Sequence, residues 1–345
     1  MAVCKQYMSS LSQQLCSLKE IDNLASLLQS TTLQLMRLRF EKPYLTFEVS
    51  KNKGKQRLIE SPKGELKKVL RILSNYLHCV YFFSRTPAAY GFIQQPRNAA
   101  KQKNILTNAK LHCGKKYLLN IDLKDFFHQV SHIRVISIFR SPPFNFNMEL
   151  SNFLSELTTY KNRLPMGSPT SPVLSNFATI KMDNELLTLS HQKRLRYSRY
   201  VDDLTFSSNE PIDAAHFYSI YAIISQMGFR INQDKLNWMG EQDEKMVTGL
   251  VLKDKPQVTA DYIKDLESNL EKLKHVLHIP GIMQQDKSRE WIEAFEEHLL
   301  GKMRFLRMIN GPDDFMVKKM YNLYNDAHHI RPFVHNFRPT NFYNF

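Results

Sequence analysis

Three aspartates are the residues of this sequence best suited to hold metal ions. Asp202 and Asp203 are adjacent within a stretch of strand-forming residues, and Asp122 follows a separate apolar run at 117–121. Two neighbouring carboxylates repel each other, whereas a plain hairpin turn favours Asn-Gly or Asp-Gly. Carboxylates at neighbouring strand ends match a two-ion site, with ions roughly 3.5–4 Å apart, that activates a hydroxyl and stabilises a leaving pyrophosphate. Mg²⁺ suits such oxygen ligands. The alternative is that these acids are solvated loop residues.

Each aspartate needs a strand that brings it to the site. The apolar run at 117–121 predicts a central strand covered on both faces, and 196–208 predicts a hairpin with the two adjacent aspartates at its tip. A Gly/Pro/Ser turn at 164–172 precedes a predicted helix at 173–189. Similar patterns predict a strand hairpin at 44–60, a strand at 245–252, and helices at 5–36, at 212–227 and from Asp261 onward.

The net positive charge of the sequence arises entirely from its first third. The 345 residues include 47 Lys+Arg and 33 Asp+Glu, a net charge of +14. Residues 1–120 hold 20 Lys/Arg and 6 Asp/Glu, whereas residues 121–345 hold 27 of each. Such a surplus indicates a polyanionic partner, most often nucleic acid and sometimes an acidic membrane surface. The alternative is a protein that is basic without such a partner.

Composition excludes several classes of protein. Apolar residues make up 43% of the chain and aromatic residues 11%, which is too much for a disordered protein. The sequence has no run of about 18 apolar residues, as a membrane span requires, and its first residues lack a secretory pattern. The four cysteines show no C-x-x-C spacing, so we expect reduced thiols rather than disulfides or a zinc site. These features predict a cytoplasmic protein.

Three segments resemble the catalytic motifs of reverse transcriptases. Tyr200-Val201-Asp202-Asp203 resembles the Y-x-D-D motif, and residues 121–127 resemble the first catalytic motif, with Asp122 at the metal-binding position. Residues 164–176 resemble the bacterial L-P-Q-G-x-P-x-S-P-x-L-x-N motif, except that Met166 replaces the usual Gln. The motifs follow the family's order. The resemblance implies an α+β fold, a right-hand polymerase with fingers, a palm made of an antiparallel sheet with helices, and a helical thumb.

The same resemblance divides the chain into five regions. They are an N-terminal helical region at 1–43, basic fingers at 44–116, a palm with the catalytic site at 117–253, a helical thumb at 254–320 and a basic aromatic tail at 321–345.

Two shorter elements narrow the resemblance to retron reverse transcriptases. Residues 108–112 fit the family's N-A-x-x-H element, and residues 247–249 fit its V-T-G element. The resemblance implies an RNA-directed DNA polymerase that uses two Mg²⁺ ions and dNTPs. Such an enzyme copies part of its structured noncoding RNA into single-stranded DNA (msDNA), which stays joined to the RNA by a 2′,5′ branch. An effector protein and a role in antiphage defence are also implied. The alternatives are a reverse transcriptase of another bacterial defence system and a catalytically inactive RNA-binding scaffold for an effector.

The resemblance also assigns nucleotide-binding roles. Phe127 falls at the sugar-gate position, where a bulky ring would clash with a ribose 2′-hydroxyl, whereas Phe126 is expected in the core. Asp125 is expected either near the triphosphate or metal, or as the cap of the following turn. Lys235 matches a lysine near the triphosphate, with a plain turn lysine as the alternative. The predicted nucleotide-binding residues are Arg57, Arg97, Asp125, Phe127, Met166, Gly167 and Lys235.

Predicted RNA contacts lie mainly in the basic third. The lysine-rich turn at 51–55 is expected to hold phosphates, and RNA binding should weaken steeply with salt and do so less when these lysines are neutralised. The aromatic tail would contact unpaired bases or pack against the thumb. For Asn108 and His112, the alternative to RNA contact is a structural hydrogen-bonding role. The predicted RNA-binding residues are Lys51, Lys53, Lys55, Asn108 and His112.

Overall fold

A computed structural model describes residues 5–50, 56–96, 99, 101–279 and 281–328. The chain divides into two compact units that meet in sequence at Thr248 and Gly249. None of the helices in the described ranges has the length and apolarity needed to cross a bilayer.

The N-terminal region, where the leucine spacing predicts helix over 5–36, forms three short helices. The backbone is extended at Glu20 and left-handed at Gln29, and both positions interrupt the helical path. Thr31 caps the third helix by accepting a hydrogen bond from the Gln34 amide. The helices are α1 (Lys5–Cys16), α2 (Ile21–Leu27) and α3 (Thr32–Glu41).

A two-stranded antiparallel hairpin follows, as predicted for residues 44–60. It consists of β1 (Tyr44–Ser50) and β2 (Gln56–Pro62), with Phe47 opposite Ile59. Most of β1 is exposed, whereas Glu60 near the end of β2 is buried. Helix α4 (Gly64–Ser84) comes next and buries Leu66, Val69, Leu70, Leu73 and Leu77.

A four-stranded antiparallel sheet forms the centre of the first unit. Its strands are β3 (Tyr117–Asp122), β4 (Arg196–Tyr200), β5 (Asp203–Ser208) and β6 (Asn237–Met239), in the spatial order β4-β5-β3-β6. The predicted central strand and the predicted hairpin are therefore confirmed. Leu119, Leu204 and Phe206 have no solvent exposure.

Helices supply the rest of the first unit. The helix predicted at 173–189 is two helices that meet at Thr179, which is the C-cap of the first and the N-cap of the second. The helices are α5 (Ile105–Leu111), α6 (His132–Arg140), α7 (Met148–Thr158), α8 (Ser171–Ala178), α9 (Ile180–Gln192) and α10 (Ala214–Gln226), and the short strand β7 (Met246–Val247) follows.

The second unit is mainly helical, as the pattern from Asp261 predicts. Its helices bury apolar positions such as Leu266, Leu270 and Leu299. Its last described helix runs through residues 320 and 321, where the boundary of the tail was expected. The elements are β8 (Leu250–Leu252), β9 (Pro256–Gln257), α11 (Ala260–Leu277), α12 (Asp286–Asn310) and α13 (Phe315–Ala327).

Candidate active site

The three aspartates meet at one end of the four-stranded sheet. Asp122 is the last residue of β3, and it pairs across the ladder with Asp203, the first residue of β5. Asp202 precedes that strand, and its carbonyl accepts a 2.9 Å hydrogen bond from the Leu123 amide. The antiparallel register therefore brings together residues that lie about 80 positions apart in the sequence.

The carboxylates of Asp122 and Asp202 influence each other. Burial, and then the charge of Asp122, raise the pKa of Asp202 above its ordinary value, while the charges of Lys235 and Arg57 oppose this rise. A carboxylate such as Asp202, whose ionisation is disfavoured by burial and by a neighbouring acid, is stabilised by a bound cation.

Lys235 already provides one positive charge at this site. Its Nζ lies 2.5 Å from Asp122 Oδ1, and the Asn232 side chain lies 3.3 Å from the other carboxylate oxygen. The backbone amide of Asn232 also donates a 2.7 Å hydrogen bond to the Asp122 carbonyl. The segment after α10 therefore fixes both the backbone and the side chain of Asp122.

The donor set fits Mg²⁺ in its chemistry. Asp122, Asp202 and Asp203 offer carboxylate oxygens, which Mg²⁺ prefers, and one of these carboxylates is already held by a cationic ammonium. Among the residues that the structure describes, no three His, Cys, Asp or Glu side chains converge as they would around a bound ion. The residues that could hold the metal are nevertheless the three aspartates, because they offer carboxylate oxygens and the strand register brings them to the same end of the sheet, with Lys235 as the neighbouring cation.

The two phenylalanines after β3 differ in burial, and Phe126 lies in the core as predicted. Phe126 is 3% exposed and packs near Phe229, with 5.8 Å between the ring centroids. Phe127 is only partly buried, and its centroid lies 6.1 Å from that of Phe92. Asp125 is exposed, has a left-handed backbone and makes no side-chain cap bond, so the structure does not show the capping alternative.

The turn with Met166 and Gly167 is joined to the β1–β2 hairpin. The Met166 carbonyl accepts a 2.6 Å hydrogen bond from the Glu60 amide. A Cβ at residue 167 would lie 3.0 Å from the Glu60 carbonyl and from Ile59 Cγ2, and its φ of +121° also favours glycine. Residue 167 therefore accepts no larger side chain without a shift of β2.

Glu60 is a site neighbour that sequence reasoning missed. Its side chain is fully buried and accepts hydrogen bonds of 2.6 and 3.2 Å from Arg163, with Lys161 3.5 Å away. Burial tends to raise the pKa of Glu60, but Arg163, His128 and Lys161 together hold it below its ordinary value. The available signal was an acid at the end of the lysine-rich hairpin, within a few residues of Arg57.

The basic residues predicted to bind substrate divide into two groups. Arg57 is exposed on β2, opposite Val49, and its charge acts on Asp202. Lys51, Lys53, Lys55 and Arg97 lie outside the described residues, as does the segment 329–345 of the predicted tail.

His112 and Asn108 are buried, which corrects the expectation that they contact RNA. The two ring nitrogens of His112 lie 2.7 Å from Ser207 Oγ and 2.8 Å from Ser198 Oγ, so the ring joins β4 to β5. Burial, with a smaller effect of Arg196, lowers the pKa of His112 to about 3. Asn108 is 1% exposed on α5. Neither side chain has surface on which RNA could lie. His112 has the structural hydrogen-bonding role, whereas the buried side-chain amide of Asn108 has no hydrogen-bond partner within the described part of the chain.

Comparison with known proteins decides the family. Residues 49–255 match the family model described as reverse transcriptase (RNA-dependent DNA polymerase). The chain belongs to the reverse transcriptase family. The predicted α+β, right-hand polymerase class and the predicted enzyme activity, RNA-directed DNA synthesis, are thereby confirmed.

Curated relatives narrow this to the retron type. The chain is 29% identical over 293 residues to the retron Ec86 reverse transcriptase of Escherichia coli, covering 80% of this chain and 87% of that protein. It is 30% identical over 305 residues to the retron Mx162 reverse transcriptase of Myxococcus xanthus, covering 74% of this chain and 60% of that protein. Among solved structures, Candida albicans telomerase with a fragment of telomeric RNA aligns with a TM-score of 0.44 and 10% identity, over 84% of this chain and 64% of that chain.

Proposed function

We propose that this retron-type reverse transcriptase copies part of a structured noncoding RNA into single-stranded DNA, with Asp122, Asp202 and Asp203 as its catalytic metal ligands. The observation that carries the proposal is the register that pairs Asp122 with Asp203 and brings Asp202 next to them. Mg²⁺ ions bound there would polarise the attacking hydroxyl and neutralise the leaving pyrophosphate.

The surrounding side chains would bind and orient the incoming nucleotide. Arg57, whose charge reaches Asp202, would hold the triphosphate through its forked donors. Lys235 would pair with Asp122 before catalysis, and its ammonium would contact the phosphates of the departing pyrophosphate. The partly buried ring of Phe127 would exclude a 2′-hydroxyl, and Met166 and Gly167 would line the sugar and base. We extend the same proposal to Asp125 and Arg97 as residues near the triphosphate.

The proposed product is a 2′,5′-branched RNA–DNA that remains in the cytoplasm and acts with an effector protein against phage. The first 120 residues, with their excess positive charge, would hold the template RNA. Lys51, Lys53 and Lys55 are proposed to contribute to this grip.

A polymerase assay on a primed RNA template tests the proposal. With Mg²⁺ and dNTPs the wild type should extend the primer, and Asp122→Asn, Asp202→Asn and Asp203→Asn should each reduce the rate by roughly 10³-fold, about 4 kcal/mol. The matched control is Asp254→Asn, an exposed acid of the second unit, which should keep wild-type activity. A wild type that binds RNA but never incorporates dNTPs would instead identify a scaffold.

The branched product needs a separate experiment in cells. RNA–DNA hybrids extracted from cells that express the protein with its flanking DNA should yield free single-stranded DNA after treatment with a debranching enzyme. The same extraction from cells with Asp202→Asn should yield none. A linear, unbranched product would remove the branch from the proposal and leave the polymerase.

A further inference from the structure

The turn that carries Asp202 has a strained backbone. Val201, between Tyr200 and Asp202, has a φ of +62°. This left-handed conformation is a true outlier for a β-branched residue, and it persists only where surrounding contacts impose it. A partner must therefore hold the peptide that joins Val201 to Asp202.

Arg199 provides that partner from inside the protein. Its Nη1 donates a 2.9 Å hydrogen bond to the Val201 carbonyl, which belongs to the peptide leading directly into Asp202. The same nitrogen lies 3.0 Å from the Asn176 side-chain oxygen. The arginine has no solvent exposure, so water cannot replace either contact.

Asp183 anchors the other side of the guanidinium. Its two carboxylate oxygens lie 2.9 Å from Arg199 Nε and 2.8 Å from Nη2, which is a bidentate pair. Tyr197 and Thr86 donate further hydrogen bonds of 2.8 and 3.0 Å to the same carboxylate. The carboxylate is also fully buried, so the plane of the guanidinium is fixed.

Asn176 and Gly91 complete the support of the turn. The amide nitrogen of Asn176 lies 3.1 Å from the Gly91 carbonyl. A Cβ at residue 91 would lie 2.6 Å from Val201 Cγ2 and 2.7 Å from the Val201 amide nitrogen. The segment around Gly91 therefore packs directly against the strained residue. It is also tied to β4, because the Tyr90 amide donates a 2.8 Å hydrogen bond to the Arg199 carbonyl.

We propose that Arg199 is a positioning residue: its buried guanidinium, anchored on Asp183, fixes the Val201 peptide and thereby sets the place of Asp202 as a metal ligand. This inference rests on the proposed role of Asp202. Arginine is required because one planar fork binds the carboxylate bidentately and still directs Nη1 at Val201 and Asn176. A lysine ammonium at the end of a flexible chain has no such fixed geometry.

The test measures metal binding apart from turnover. Mn²⁺ is titrated into the full-length protein without nucleotide and followed by electron paramagnetic resonance, and kcat and the dNTP KM are measured alongside. Arg199→Lys should weaken Mn²⁺ binding about tenfold and lower kcat roughly 10- to 100-fold, while the KM for dNTP changes less than about threefold.

A second variant guards against a protein that cannot fold with one unpaired buried charge. The double variant Arg199→Met with Asp183→Asn removes both charges, and the new amide oxygen remains an acceptor for Tyr197 or Thr86. It should show the same loss of Mn²⁺ affinity. The control is Leu154→Ala, a fully buried position on α7, which should lower the melting temperature without altering Mn²⁺ affinity.

The outcomes separate this inference from the proposed function. Wild-type Mn²⁺ affinity in either folded Arg199 variant would overturn the inference, and so would an equal loss of affinity in the Leu154→Ala control. A wild type that is inactive in the polymerase assay would overturn the proposed function, whatever the Arg199 variants show.

Discussion

The two sheets of the first unit differ in how they are held. In the four-stranded sheet Leu119, Leu204 and Phe206 have no exposure, whereas Phe47 and Val49 of the β1–β2 hairpin are 42% and 45% exposed. Segments with few buried apolar contacts open at low free-energy cost. The proposed catalytic aspartates thus lie on the buried sheet, whereas Arg57, the proposed triphosphate contact, lies on the exposed hairpin.

The largest expected difference between the two sheets is in stability. Phe206→Ala removes a ring that stacks on Tyr197 at 4.8 Å in the buried sheet. It should lower the free energy of unfolding by about 3–5 kcal/mol. Phe47→Ala, in the exposed hairpin, should cost less than about 1 kcal/mol. Urea denaturation of both variants measures this, and equal losses would show that the hairpin packs as tightly as the sheet.

The buried sheet should also respond to acid through His112. Its pKa is about 3 in the folded protein against an ordinary 6.5, so the unfolded state takes up the proton first. The stability that the neutral His112 contributes is fully present above pH 6.5 and is lost as the pH falls below that value. As the pH falls from about 7.5 to about 5, protonation of His112 in the unfolded state should lower the free energy of unfolding by about 2 kcal/mol.

His112→Gln should reduce that slope, as measured by urea unfolding at several pH values. Part of the slope should remain, because burial also lowers the pKa of His78, to about 4. His191→Gln, at an exposed position, serves as the control and should leave the slope unchanged. An unaltered slope in His112→Gln would mean that the protonated ring is accommodated between β4 and β5.

Substrate affinity should depend on the hairpin. Arg57→Gln should raise the KM for dNTP roughly tenfold, about 1.4 kcal/mol, through loss of a charge-assisted contact with phosphate. The kcat of Arg57→Gln should change less than its KM. The KM of Arg57→Lys should lie between those of the wild type and Arg57→Gln. Steady-state kinetics with Arg71→Gln, an exposed arginine of α4, as the control tests this. A loss in kcat alone would place Arg57 with the catalytic sheet instead.

The smallest expected effect concerns sugar selection beside the sheet. Phe127→Val should raise the rNTP/dNTP incorporation ratio roughly fivefold, about 1 kcal/mol, by making room for a 2′-hydroxyl. Phe83→Val, at an exposed position on α4, should leave the ratio unchanged. The ratio of kcat/KM for matched rNTP and dNTP pairs is the measurement. An unchanged ratio would assign Phe127 to the core with Phe126.

Sequence reasoning succeeded where spacing carries the signal. The apolar run before Asp122 and the hairpin around Asp202 and Asp203 were predictable, because strand periodicity and adjacent acids are local patterns. The break between α1 and α2 was not predicted, because leucine spacing continues through it. The roles of the lysines at 51–55 and of Arg97 stay predictions.

The buried charged residues were the main feature that could not be predicted from the sequence. Arg199 and Asp183 lie 16 positions apart, and Glu60 and Arg163 lie 103 apart. A sequence does not distinguish such residues from ordinary surface charges, because their burial depends on tertiary contacts and not on local pattern. The same holds for His112, for which the sequence left both RNA contact and a structural hydrogen-bonding role open, and whose ring joins two strands.

The contact between Gly91 and Val201 limits how this sequence can vary. A Cβ added at residue 91 would lie 2.6 Å from Val201 Cγ2 and 2.7 Å from the Val201 amide nitrogen. Truncating the side chain at 201 would remove the first clash, but the second would persist whatever residue stood at 201. The dependence between the two positions therefore runs in one direction. In a library randomised at both sites and selected for function, the active variants should carry many residues at 201 but only glycine at 91. No substitution at 201 should restore function to a variant with a larger residue at 91.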